Sequence, residues 1–395
     1  MHTLKAILGG LIAACLITAP ARADPPVDPT AGDAVALDAA IHAACDKRVV
    51  VLGETGSHSD GHAIAFKAAL AQRLIAQCGF KAVLWESSFY EFDHLDRLTT
   101  AGTPVTRDQV AAAIGGIWNK DVPLQPLIDD LTARANRHDL TLGGFDDIWG
   151  MAGMPYTTDD LPKALAARLD PADAAACTDA FHRYIYSLDD PYTPADQHHL
   201  LDCLNHIRNA QPALDRRDLD ILDSLQRDIA NAFVAKAFER AASERSGWLN
   251  LRTLIDRLPA DSKVIVWTAT VHGAREATSD GTTIKSMGGY IHDAFGGRSF
   301  ILAVGAAGGS FGLAGRDTVL PIPTPATGSV EAQAMAGSDT AAVYVSPAKL
   351  KSFGIAPAGL FFHTPTATRD WSQTVDAAVI LRDEYPMPHI PAPAK

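Results

Sequence analysis

The sequence predicts an α/β protein: a mainly parallel central sheet flanked by helices, with a large all-helical insertion capping the carboxyl edge of the sheet. Three observations carry this expectation. Apolar runs at Val49–Leu52, Val83–Trp85, Leu140–Phe145 and Lys263–Thr268 alternate with helical patterns, the signature of βαβ units. Each run stops at an acid or at a small polar loop, as strands do at the ligand-binding edge of such sheets. The stretch from about 155 to 260 reads as helix almost throughout, punctuated by Pro155, Pro191 and Pro212, and so forms an excursion between the third and fourth core strands.

The amino end is a targeting segment and not part of the fold. Lys5 precedes the apolar stretch Ala6–Ala19, and Ala21-Arg22-Ala23 places small residues at both cleavage-recognition positions, so residues 1–23 read as a secretory signal peptide. Ile12-Ala13-Ala14-Cys15 also resembles a lipoprotein box, at the cost of a very short apolar region. A mature chain from about Asp24, forming one domain over 24–395, is expected in the periplasm or outside the cell. Hydrophobic residues make up 47% of the chain and charged residues 20%, the balance of an ordinary globular protein. The formal charge of −12 becomes −14 once Lys5 and Arg22 are removed. That excess of acid excludes a nucleic-acid partner, which needs a basic face, and no second long apolar run offers a membrane span.

Four cysteines remain, Cys45, Cys78, Cys177 and Cys203. Cys45 and Cys78 each precede one of two strands expected to be neighbours, opposite the acids, and pair on that ground. Cys177 and Cys203 pair across a helical hairpin. An oxidising compartment permits both bonds.

In chain order, Ala34–Ala44 reads as helix and leads into strand Val49–Leu52, which ends at Gly53-Glu54. A loop with two glycines carries His58, and a helix from about His62 to Gln77 bears an apolar stripe at Ile64, Leu70, Leu74 and Ile75. Gly79 stops it, and the next strand ends in Trp85-Glu86. Parallel strands with a right-handed crossover bring the two acid-bearing ends side by side. Ser87–Leu98 and Leu124–Arg137 read as helices, and strand Leu140–Phe145 ends in Asp146-Asp147. After the insertion, strand Lys263–Thr268 delivers His272 and Arg275. A Gly turn at Asp280-Gly281, a helix Ile284–Phe295 and a strand Ser299–Val304 follow. A hairpin within Gly305–Gly315 and short strands at Ala342–Val345, Leu360–Phe362 and Ala377–Leu381 complete the sheet. Trp85, Phe89, Tyr90, Trp118, Trp149 and Tyr156 are aromatic candidates for a pocket wall.

Glu54, His58, Glu86 and His272 are therefore expected to meet in one crevice, with Arg275, Asp146 and Lys67 behind them. No Gly-x-Ser-x-Gly elbow exists: Gly56-Ser57-His58-Ser59-Asp60 lacks the second glycine. What remains is activation of water by an imidazole oriented by a carboxylate.

These residues resemble the erythromycin esterase family. Gly53-Glu54 with a close His, a helix with a basic residue and Val83-Leu84-Trp85-Glu86 are similar to its opening. Leu142–Asp146, Lys263–Trp267 with His272 and Arg275, Met287-Gly288 and Gly305–Gly312 match later segments in order. The resemblance implies His58 as general base, Glu54 or Glu86 as its orienter, and His272 with Arg275 as polarisers of an ester or lactone carbonyl. Lys67, Asp146, Trp85, Phe89 and Trp118 would then bind substrate, and no cofactor is needed. Two departures stand out. Three residues separate Glu54 from His58 where the family has two; Lys67 keeps its register if one residue is inserted. Ala269 occupies the place of the first of two family histidines. Two alternatives therefore stand beside the hydrolase: a divalent metal ion held by Glu54, His58, Glu86 and His272, with bound water as nucleophile, or a degenerate site that binds a small molecule in the cell envelope.

Overall fold

The computed structural model describes residues 32–150, 153–186, 193–234, 240–279, 282–314, 316–364 and 367–388. The expected leader (1–23), Cys15, the Asp280-Gly281 turn and the tail beyond 388 lie outside these residues.

The first unit is α1 (Ala34–Ala44), β1 (Val49–Glu54), α2 (Gly61–Cys78) and β2 (Phe80–Ser88). Then α3 (Phe89–Thr100), α4 (Arg107–Ile114) and α5 (Gln125–Asn136) lead to β3 (Thr141–Asp146). The inserted run comprises α6 (Leu161–Ala166), α7 (Pro171–Tyr186), α8 (Pro194–Asn209), α9 (Arg216–Val234) and α10 (Arg240–Arg257). The chain returns through β4 (Lys263–Ala269), α11 (Thr270–Gly273), β5 (Glu276–Ser279), β6 (Thr282–Lys285), α12 (Met287–Phe295) and β7 (Ser299–Ala306). It closes with β8 (Ser310–Leu313), β9 (Arg316–Pro321), α13 (Val330–Met335), β10 (Ala342–Val345), α14 (Pro347–Ser352), β11 (Ile355–Ala358), β12 (Ala367–Asp370) and β13 (Ala377–Leu381).

Seven strands form the main sheet in the order β10-β13-β7-β1-β4-β2-β3. Only β10 runs antiparallel to its neighbour. β1 and β7 are buried at every position, which is why they read as unbroken apolar runs without alternation. Leu52, Phe66, Trp85 and Trp267 pack on one face with α1, α2 and α5. Val51, Val266, Leu251, Ile291 and Trp371 pack on the other. The insertion has its own core, built on Tyr90, Trp149, Phe181, Leu204 and Leu222. Among the described residues no helix is long and apolar enough to cross a membrane.

One expectation about the sheet is corrected. β1 and β2 are not neighbours, because β4 lies between them and pairs with both. Their acid-bearing ends are therefore two strand spacings apart, about 10 Å, and the end of β4 fills the gap. Two local readings change as well. Ile284 belongs to the β5–β6 hairpin and the helix begins only at Met287. Leu360–Phe362 is a turn after β11 and not a strand.

Both expected disulfides are present, Cys45–Cys78 and Cys177–Cys203. The first joins the carboxyl ends of α1 and α2 at the amino edge of the sheet. Lys263 Nζ donates to the carbonyls of Cys45 (2.6 Å) and Cys78 (3.0 Å) beside it, satisfying acceptors that helix ends leave open. The second staples α7 to α8.

Candidate active site

At the end of β1 the chain must turn in a confined space. A Cβ on Gly53 would lie 2.8 Å from the Thr270 Cα, so only glycine fits there, and one on Gly56 would press on the Phe362 ring at 2.6 Å. Asp60 holds the loop in shape. It accepts bonds from Thr55 Oγ1, Ser57 Oγ (2.7 Å) and His363 Nε2 (2.8 Å). His58 then sits in the left-handed region, with φ 53°, a conformation that persists only where the surroundings enforce it.

His58 Nδ1 lies 3.2 Å from Glu54 Oε1. A carboxylate can only accept, so Nδ1 carries the hydrogen and Nε2 keeps its lone pair. Glu54 is wholly buried and also ion-pairs with the buried Lys67. The Lys67 ammonium stands 4.0 Å above the Trp267 ring and donates to Thr268 O at 3.3 Å. Trp267 stacks on Trp85 at 4.7 Å, Trp85 meets Trp118, and Trp118 and His58 meet in a T-shaped contact at 5.2 Å.

Glu86 reaches across the end of β4. Its Oε2 accepts from Thr268 Oγ1 (2.5 Å) and from the backbone N–H of Ala269 (2.7 Å). Its Oε1 lies 3.3 Å from His272 Nε2. The position of Ala269 thus serves the site through its backbone. On the other side of the ring, His272 Nδ1 lies 2.7 Å from Glu244 Oε1, a residue of α10 that sequence reading did not single out.

The electrostatics separate the two imidazoles. Burial lowers the pKa of His58 below 6.5, and the charge on Glu86 only partly opposes it. His272 feels the same desolvation, but Glu86 and Glu244 outweigh it and raise its pKa to about 9. Burial alone would raise Glu86; the charges of His272 and His58 and the two bonds from β4 outweigh it and hold its pKa at about 2. Asp146, at the end of β3, is pushed up to about 7 by burial and by the charges of Glu86 and Asp147. At neutral pH His58 is therefore a free base and His272 a cation, with Glu86 acting on both. Both imidazole side chains and Glu86 keep a partly exposed side, while Glu54, Lys67 and Glu244 have essentially none. Solvent and ligand meet the two rings and Glu86 first.

Arg275 and several of the aromatic candidates do not join this group. Arg275 ion-pairs with Asp376 and donates to Gln373 O (3.4 Å), because the turn after α11 binds its backbone N–H to Thr374 O at 2.9 Å, just before β13. Phe89 is buried in the core of the insertion with Trp149 and Phe181, and the Tyr90 hydroxyl is spent on Asp147 O. Tyr156 stacks on His94 at 3.8 Å. Among the described residues no three His, Cys, Asp or Glu side chains are grouped as ligands of one metal ion. Glu54 and Glu86 direct their oxygens at Lys67, His58, β4 and His272 instead.

Asp60, His363 and Glu244 escaped the sequence reading. Asp60 resembled an ordinary residue before a helix, and nothing near His363 marks it. Glu244 did carry a signal: with Gly247, Leu251 and Ile255 it occupies the inward stripe of α10, where an acid is out of place.

The architecture recurs in solved structures. A Bacillus cereus protein is 13% identical with a TM-score of 0.65 over 90% of this chain and 93% of its own. A succinoglycan biosynthesis protein is 12% identical with a TM-score of 0.67 over 90% and 92%. A mutant of the erythromycin esterase EreC in an open conformation is 13% identical with a TM-score of 0.63 over 90% and 95%. At such identities the likeness is one of fold. No curated protein matches the chain. The family model described as erythromycin esterase matches residues 75–379, from within α2 through the last strand of the sheet and so including Glu86, Asp146, Glu244 and His272. On that match, which takes in well over half of its length, the chain belongs to the erythromycin esterase family.

Proposed function

We propose that the protein hydrolyses an ester or lactone with a water molecule activated by His58, without a covalent intermediate. The carbonyl oxygen of the substrate lies against His272, whose ring is charged and held from both sides. His58 Nε2 takes a proton from water as the oxygen attacks the carbonyl carbon, and Glu54 stabilises the imidazolium that forms. His272 stabilises the oxyanion, a role worth roughly 3–4 kcal/mol for a well-placed donor. When the intermediate collapses, the C–O bond breaks and the His58 imidazolium returns its proton to the leaving alkoxide. Lys67 acts through Glu54, and Asp146, Trp85 and Trp118 border the reacting groups.

The observation that carries this reading is the placement of the two histidines: His58 sits on the single carboxylate Glu54 at 3.2 Å, whereas His272 lies between Glu86 at 3.3 Å and Glu244 at 2.7 Å, an arrangement that favours a free base and a cation. A general base and a cationic electrophile are both ready at the same pH. Two disulfides and the leader-like amino end support a periplasmic or secreted location. The test is a screen of chromogenic short-chain esters and macrolides with wild type and His58→Ala. Loss of about 10²–10⁴ in turnover with retained folding is expected of a general base; unchanged turnover removes His58 from the mechanism.

A further inference from the structure

Glu244 stands in an unusual place. It projects from α10, part of the insertion, at a position whose neighbours along the same stripe are Gly247, Leu251 and Ile255. Its side chain is essentially inaccessible. A bare carboxylate there costs several kcal/mol, so its retention requires partners that repay the desolvation. It has three. Oε1 faces His272 Nδ1 at 2.7 Å and Arg240 Nε at 3.2 Å, and Oε2 accepts the backbone N–H of Met287, at the start of α12, at 2.9 Å.

The rest of α10 grips the opposite wall of the site. Ser246 Oγ donates to Asp147, Asn250 Nδ2 donates to Phe145 O at 3.1 Å, and Arg227 of α9 braces both Ser246 (3.1 Å) and Asn250 (2.5 Å). One helix of the insertion thus touches the end of β3 next to Asp146 and the ring of His272 after β4. Glu86 alone does not fix that ring. It meets Nε2 at 3.3 Å, and the Arg240 guanidinium, 3.3 Å from the same nitrogen, repels a charged imidazole. The shortest contact of the ring is the one to Glu244.

We infer that Glu244 is a positioning residue: it orients the His272 ring from the insertion, so that the catalytic arrangement is complete only with α10 seated on the sheet. This rests on the proposed role of His272 as the carbonyl-polarising group. A bond that leads the ring to the oxyanion acts in the transition state, so its loss lowers kcat and leaves KM nearly unchanged.

The experiment compares wild type, Glu244→Gln and Glu244→Ala on the best chromogenic ester from the screen, together with the low-field ring N–H proton of His272, assigned by its disappearance in His272→Gln. Glu244→Gln keeps the volume and one acceptor, which preserves the fold if the alanine variant fails to fold. Expected are a slowly exchanging low-field proton in wild type, its upfield shift in Glu244→Gln and its absence in Glu244→Ala. The accompanying fall in kcat lies between about 10-fold, as for an outer-shell partner of a His ring, and about 10⁴-fold, as for the orienting carboxylate of a catalytic triad, with KM within about threefold. Wild-type kcat and an unshifted ring proton in Glu244→Gln overturn the inference. If wild type hydrolyses no ester, the hydrolase reading fails by itself, and the proton resonance still decides whether Glu244 holds the ring.

Discussion

Replacing Lys67 by methionine removes one half of a fully buried ion pair while keeping the apolar stem. Neither Lys67 nor Glu54 has any exposed side-chain surface, so no water can take over the lost partner. Breaking a buried pair from one side costs about 3–5 kcal/mol, chiefly because a charge is left uncompensated, and the contact over Trp267 at 4.0 Å adds to the loss. Against a total stability of about 5–15 kcal/mol, that is a large fraction. Denaturant unfolding followed by circular dichroism, with both disulfides oxidised, measures it in wild type, Lys67→Met, Glu54→Gln and the double variant. The double variant is expected to be less damaged than the sum of the singles, since no unpaired charge remains. A loss below about 1 kcal/mol in Lys67→Met, or simple additivity, would refute the reasoning.

Three further outcomes are expected. The profile of kcat/KM against pH should be bell-shaped. Its acid limb lies below pH 6.5, where His58 becomes protonated and stops acting as a base, and its alkaline limb lies near 9, where His272 loses its proton. A shoulder near 7 from Asp146 should vanish in Asp146→Asn. Folded-state stability carries the same sign for His272. A pKa raised by folding gives stabilisation that is complete below about 6.5 and lost as the pH climbs through about 9, so unfolding midpoints should fall over that window. Finally, replacing Cys177 and Cys203 by serine opens a loop with a sequence separation of 26. Chain entropy puts the cost at roughly 3–4 kcal/mol, and proteolysis within α7–α8 should accelerate while α2 and β1 stay protected; equal accelerations would contradict a staple local to the insertion.

Much of the fold was legible because its signals are local. A strand buried on both faces shows as an unbroken apolar run, which is why β1 and β13 lie where the sequence put them. Gly79, at φ 72°, marks the end of α2 by the left-handed turn it alone makes cheaply. Strand order is a different kind of information. Nothing near Val49 or Val83 says that a strand more than 170 residues further on will slot between them, and the crossover rule fixes handedness, not adjacency. The site divides the same way. Glu54, His58, Glu86 and His272 were legible as candidates because each lies at or within a few residues of the carboxyl end of a strand. Arg275 points elsewhere because the short α11 ends just before it and its backbone and guanidinium are taken up by Thr374 and Asp376, about 100 positions further on. Phe89 reads like a pocket residue from its distance to Glu86, but the insertion supplies a third core that claims it. Asp60, His363 and Glu244 act through partners up to 308 positions away, and a contact of that range leaves almost no mark on the local pattern.

The proposed chemistry follows from His58 being neutral and His272 charged at one pH. Histidine side-chain NMR measures this directly, with His58→Ala and His272→Gln supplying the assignments. The expected result is one ring titrating below 6.5 and the other near 9. Two rings titrating together at the ordinary value of about 6.5 would contradict it.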